Sequence, residues 1–145
     1  MAIHALAHVS IRTHDLDASE FFYVELMGFR RGTRPPFNFP GRWIYFGDDE
    51  SNFGVVHLIG MDHTDKKAAD KYLGSRSPEM TEGSGVIDHI AFNATGWQEM
   101  RARLCKRRVA YEERTVPDLG LHQVFFADPS GIVIELNYPA SEAGQ

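Results

Sequence analysis

The sequence predicts an α+β fold of two βαβββ modules, together forming a curved, cup-shaped mixed sheet with helices on its outer face. Three observations carry this prediction. A short alternating strand opens each half, at 6–11 and again at 86–92. Each half closes on a strand with an ionisable residue inside it, His57 in 54–59 and Glu135 in 131–136, at nearly the same interval from His8 and His89 in the opening strands. Between opening and closing strands, each half holds one helical stretch and then extended segments parted by turn residues. The 145 residues fit one domain, with module one at about 4–60, a linker or lid at 61–84 and module two at about 85–139.

Each element has its own signal. In the first helix Ala18, Phe21, Phe22 and Leu26 recur at helical spacing. Asp17-Ala18-Ser19-Glu20 resembles a capping box at its start, and Gly28 supplies a left-handed stop. Thr95-Gly96-Trp97-Gln98 reads as a capping box for the second helix, whose apolar stripe is Trp97, Met100 and Leu104, with Cys105 a small packing residue beside it. Arg108 stands where the first module has Gly28, so a left-handed stop there would cost roughly 1–2 kcal/mol. Strands are expected at 29–34, 42–46 and 53–59, and at 111–116, 121–127 and 132–138. Pro35-Pro36, Pro40-Gly41, Asp48-Asp49 and Asp128-Pro129-Ser130-Gly131 separate them. A helical turn is expected near 67–73.

Composition narrows the function classes. A net charge of −5 argues against a nucleic-acid partner, for which a basic face is expected. One cysteine permits no internal disulfide and suits a reducing compartment. No signal peptide and no apolar run of about 18 residues is found, so a soluble cytoplasmic protein without membrane contact is the expectation.

Strand alternation assigns the chemistry. Ala7, Val9 and Ile11 share one face of the first strand, and Ile132, Ile134 and Leu136 one face of the last. Those aliphatic faces should pack under the helices, leaving His8, His57, His89 and Glu135 on the other side. A carboxylate between Ile134 and Leu136 costs several kcal/mol to bury unpaired, so it needs a cation or donors. Imidazole nitrogens with one carboxylate oxygen suit one divalent ion such as Fe, Mn, Co, Ni or Zn. Trp43 and Phe125 read as core or pocket wall, Gln123 as a polar contact in the cup, and Arg34 as a surface arginine or a contact for an anionic substrate group.

The chain resembles the vicinal oxygen chelate superfamily, which includes glyoxalase I, bleomycin resistance proteins and type I extradiol dioxygenases. The resemblance rests on His8-Val9-Ser10-Ile11, Phe22-Tyr23 before Gly28-Phe29, Asp88-His89-Ile90-Ala91-Phe92, and Asp128-Pro129-Ser130-Gly131 leading to Glu135. It implies a metal held by His8, His57, His89 and Glu135, with Glu135 and His57 as the catalytic groups and Gln123, Arg34, Trp43 and Phe125 around the substrate. Glyoxalase I typically has glutamate where this chain has His57. Extradiol enzymes use two histidines and a glutamate, matching His8, His89 and Glu135, but have a tyrosine where this chain has Phe125. Three classes follow. The first is a metal-dependent lyase, isomerase or epimerase acting on vicinal oxygens through an enediolate. The others are an Fe(II) ring-cleaving dioxygenase and a metal-free drug-binding protein. A homodimer acting on a small molecule is expected, since half-cups present strand edges that need covering.

Overall fold

The computed structural model describes residues 6–51, 54–61, 82–84, 87 and 89–144. It divides into two compact units, Met1–Glu82 and Gly83–Gln145. The first contains β1 (Val9–Thr13), α1 (Leu16–Phe21) running on into a π-helical turn (Phe22–Leu26), β2 (Arg30–Gly32), β3 (Gly41–Tyr45) and β4 (Val56–Gly60). The second contains β5 (Ile90–Asn93), α2 (Trp97–Arg107), β6 (Glu112–Val116), β7 (Leu121–Ala127) and β8 (Val133–Pro139). Each unit is a four-stranded mixed sheet in the same order, β1-β4-β3-β2 and β5-β8-β7-β6. In each, the first and last strands pair in parallel and the remaining pairs are antiparallel. The α+β class and the doubled βαβββ order are those the sequence predicts.

Burial follows the strand alternation. Ile11 and Thr13 of β1, Ile44 of β3 and Val56 and Leu58 of β4 are buried with Phe22, Tyr23 and Leu26 from the helix. The Ser19 hydroxyl donates to Thr13 Oγ1 at 2.8 Å, which ties α1 to β1. In the second unit, Trp97, Met100 and Leu104 of α2 are buried, as are Val124, Phe126, Ile134, Leu136 and Tyr138. The core residues named in both units carry no charge. That leaves the opposite face of each sheet free to carry chemistry.

Several details depart from the sequence reading. β1 begins at Val9 and runs to Thr13, because its ladder with β4 extends from Val9 opposite Val56 to Thr13 opposite Gly60. The first helix starts at Leu16, capped by Asp15, whose Oδ1 accepts from the Ala18 N–H at 2.8 Å, so the motif at Asp17 is not the cap. At residues 22–26 the winding widens, with the Met27 N–H donating to the Phe22 carbonyl at 3.0 Å. For α2 the Thr95 box is absent. The Glu142 carboxylate, far along the chain, instead accepts from the Gly96 and Trp97 N–H groups at 2.8 Å each. Cys105 is exposed, not packed. The helical turn expected at 67–73 lies outside the described residues, as does most of the 61–84 linker.

Arg108 does adopt the left-handed conformation, at φ 55° and ψ 36°. Its N–H donates to the Cys105 carbonyl at 3.1 Å and the Val109 N–H to Leu104 at 3.0 Å, the paired bonds that close a helix C-terminus. Among the described residues, no helix is long and apolar enough to cross a membrane.

Candidate metal and substrate site

The ladder partners make the two units comparable residue by residue. Opposite His57 on β4 stand Ser10 of β1 and Trp43 of β3. Opposite Glu135 on β8 stand Ala91 of β5 and Phe125 of β7. His57 and Glu135 are therefore equivalent, as are Trp43 and Phe125. His8 and His89 match too, each one residue ahead of its unit's opening strand. Gly32 faces Trp43 and Glu112 faces Phe125. Continued by two residues, the same register sets Arg34 level with Gly41 as Arg114 is level with Gln123.

In the first unit the site face is aromatic. The His57 ring lies between those of His8 and Trp43, with centroids 3.9 Å and 4.1 Å away and interplanar angles of 19° and 6°. His57 is only 7% exposed, so its broad faces meet other rings and its edge carries its polar chemistry. The Arg34 guanidinium packs over Phe37 and Phe39, at 5.0 Å and 4.8 Å, and donates to the Phe39 carbonyl at 2.9 Å. Gly41 makes room for it, since a Cβ there would fall 2.9 Å from an Arg34 nitrogen and 2.7 Å from the Leu58 carbonyl oxygen. Arg34, Trp43, Arg31 and Arg42 line a cavity of about 370 Å³, and no acidic side chain is among the described residues that line it.

In the second unit the same face is polar. Glu135 is 5% exposed, and its Oε2 lies 3.0 Å from His89 Nε2. Its other oxygen accepts from Gln123 Nε2 at 2.8 Å, and the same amide donates to Asn137 Oδ1 at 3.0 Å. The Gln123 carbonyl oxygen accepts from Arg114 Nε at 2.8 Å. Arg114 also sits over the Phe125 ring at 5.1 Å, and Phe125 meets His89 edge to face at 6.1 Å. His89, Phe125, Arg114, Glu112 and Glu113 line a cavity of about 300 Å³.

Each sequence-predicted ligand is thus paired with one other in its own unit, His8 with His57 and His89 with Glu135. Among the described residues no three His, Cys, Asp or Glu side chains gather within either unit. The donor chemistry of each pair, two imidazoles in one unit and an imidazole with a carboxylate in the other, is of a kind that fits a divalent first-row ion. The buried carboxylate supplies the structural reason, because the fixed positive charge in its hydrogen-bond network, Arg114, is one side chain removed. Arg114 and Asn137 were not identified from sequence. Arg114 becomes visible only once β6 is paired with β7. His122, one residue from Gln123, faces the other way, buried against Trp97 with Nδ1 3.0 Å from Thr115 Oγ1.

This architecture has a family. The sequence profile of the Glyoxalase/Bleomycin resistance protein/Dioxygenase superfamily matches residues 5–136, and the chain belongs to that superfamily. It is similar to Glyoxylase I 4 of Arabidopsis thaliana, 27% identical over 136 residues that span 91% of this chain and 69% of the plant protein. It is also similar to the lactoylglutathione lyase of Schizosaccharomyces pombe, 25% identical over 94% of this chain but 48% of the yeast protein. Among solved structures, a lactoylglutathione lyase from Agrobacterium tumefaciens superposes with a TM-score of 0.65 at 20% identity, covering 94% of this chain and 95% of that one. An antibiotic binding protein from Streptomyces superposes at 0.61 with 25% identity, covering 96% and 98%.

Proposed function

We propose that this chain is a divalent-metal-dependent lyase or isomerase of the glyoxalase type, acting on a small molecule with neighbouring oxygens. The observation that carries the reading is the buried Glu135 carboxylate, held 3.0 Å from His89 at the position equivalent to His57. His8, His57, His89 and Glu135 would hold the ion, which when bound polarises the substrate oxygens and acidifies the adjacent C–H. Glu135, beside His89, and His57 are the groups that would take and return the substrate proton. Trp43 and Phe125, at equivalent places on the central strands, flank the substrate, and Arg34 faces its anionic end. Because each unit brings one pair of these candidate ligands together among the described residues, the proposal takes the complete set from two pairs. The proposal includes a homodimer, in which pairs from two chains can share an ion.

Metal analysis of protein purified without chelator should find a stoichiometric divalent ion, and Glu135→Gln should reduce it to background. The loaded protein should form or consume lactoylglutathione, the reaction for which its relatives are named, or a close analogue. Full metal occupancy in a His8→Ala, Glu135→Ala double variant would sink the metal assignment. A His57→Ala variant that kept iron and bound catechol would point to ring-cleaving chemistry instead. Wild-type protein that binds no ion yet captures an aromatic antibiotic would belong with the binding proteins of the superfamily. Sedimentation of a monomer with stoichiometric metal would remove the dimer.

A further inference from the structure

We infer that Arg114 is a positioning residue which, through Gln123, fixes the orientation of the Glu135 carboxylate and so the direction in which its second oxygen is presented beside His89. The inference rests on the metal-site reading above for its consequence, but its geometry stands without a metal. A primary amide presents two nearly isosteric ends, one an acceptor and one a double donor. Arginine has donors only. With Arg114 Nε 2.8 Å from Gln123 Oε1, the carbonyl end must face the arginine and the NH2 end must face the other way. That end donates to Glu135 Oε1 at 2.8 Å and to Asn137 Oδ1 at 3.0 Å, so both of its protons are committed. Glu135 Oε1 is thereby engaged from behind, and Oε2 is left on the side of His89, 3.0 Å away.

Flipping the amide would set its carbonyl oxygen against a carboxylate oxygen in a buried site, and the loss of donors there is costly. Arg114 prevents the flip from the surface. The companion unit supports this independently. There the position equivalent to Glu135 is His57, and the position equivalent to Gln123 is Gly41. The equivalent arginine, Arg34, leans across the bare glycine to a backbone carbonyl. The glutamine occurs in the half that carries the carboxylate. Orienting partners of this kind typically change metal affinity by about 10–100-fold when lost.

The experiment compares wild type with Arg114→Met, which keeps the stem over Phe125, and Arg114→Lys, which keeps a charged donor. Arg114 is exposed, so neither substitution disturbs the core. Two readouts are taken. In the metal-free protein, the Gln123 side-chain amide resonances should be shifted and slow to exchange in wild type, revert towards free-amide behaviour in Arg114→Met, and recover in Arg114→Lys. In Co²⁺ titrations, Arg114→Met should weaken binding about tenfold and alter the visible spectrum of the bound ion, with substantial recovery in Arg114→Lys. Unchanged amide resonances in Arg114→Met would overturn the inference whatever the metal does. Altered resonances with unchanged cobalt affinity and spectrum would overturn its positioning role. Wild-type protein that takes up no cobalt while the amide resonances respond as expected would overturn the metal-site reading alone, leaving Arg114 as the residue that orients Gln123.

Discussion

The two units share a topology strand for strand and differ on the face that carries the candidate chemistry. The first presents His57 stacked between His8 and Trp43, with Arg34 laid across a glycine. The second presents a hydrogen-bonded chain from Arg114 through Gln123 to Glu135 and His89. Their cores obey the same rule of aliphatic strands under an amphipathic helix. The difference teaches that the fold constrains one face of each sheet tightly and the other hardly at all. Histidine and glutamate occupy equivalent strand positions because what surrounds each one differs: rings about the imidazole, donors about the carboxylate.

The largest expected effect in stability comes from erasing the glycine that distinguishes the units. Gly41→Ala places a Cβ against the Leu58 carbonyl, which cannot yield cheaply, and against Arg34. Thermal melts should show a loss of about 1–3 kcal/mol, typical of overpacking. Hydrogen exchange should place the loss in β3 and β4. An unchanged melting temperature would mean that the glycine is incidental and the comparison overdrawn.

Next in size is the helix ends. Gly28 and Arg108 both sit at positive φ, 77° and 55°, but only glycine does so without a steric cost. Arg108→Gly should stabilise the second unit, partly offset by the greater freedom of the unfolded chain, for a net gain of up to about 1 kcal/mol. A calorimetric scan of the variant measures it. A destabilised variant would show that the arginine side chain contributes more than its backbone costs.

The smallest effect separates the units by pH. Hydrogen bonds from Thr33, and then from Arg30 at 2.8 Å, hold the Glu50 carboxyl down to about 2, against a usual 4.5. A carboxyl lowered on folding contributes stability that is present above its unfolded pKa and lost as pH falls through the folded one. The first unit should therefore weaken as pH drops from about 4.5 towards 2, with exchange in β2 and β3 reporting it, and Glu50→Gln should flatten that slope. The alkaline side does not separate the units. Burial raises the phenols of both Tyr45 and Tyr138, so both lose stability above pH 10. A slope that Glu50→Gln leaves intact would assign the acid sensitivity elsewhere.

What the sequence made legible was whatever repeats or alternates. Period-two runs located the strands, and the matching intervals from His8 to His57 and from His89 to Glu135 picked out residues that the ladders place at equivalent positions. The cap of the first helix is the neighbouring Asp15, two residues ahead of the motif at Asp17, whereas at the second helix a local motif competes with a distant partner. Glu142 reaches Gly96 and Trp97 from beyond the last strand, and nothing near Thr95 signals it. Cys105 was assigned to packing from its neighbour Leu104, though one residue is enough to turn a side chain outward on a helix. Gln123 is legible in the sequence as a polar contact in the cup. Its partner Arg114 lies on another strand, and only pairing brings them level.

The parallel pairing of each unit's first and last strands has a consequence for how the protein is made. β2 with β3 and β3 with β4 are neighbours along the chain and can form as local hairpins, and β6, β7 and β8 likewise. β1 with β4 and β5 with β8 can pair only after the whole of the unit has been looped out and brought back, the slow and entropically costly closure. His8 meets His57, and His89 meets Glu135, across that last closure. Species with hairpins alone hold no donor pair, so capture of an ion would mark the completion of folding and would draw late intermediates towards the native state by mass action.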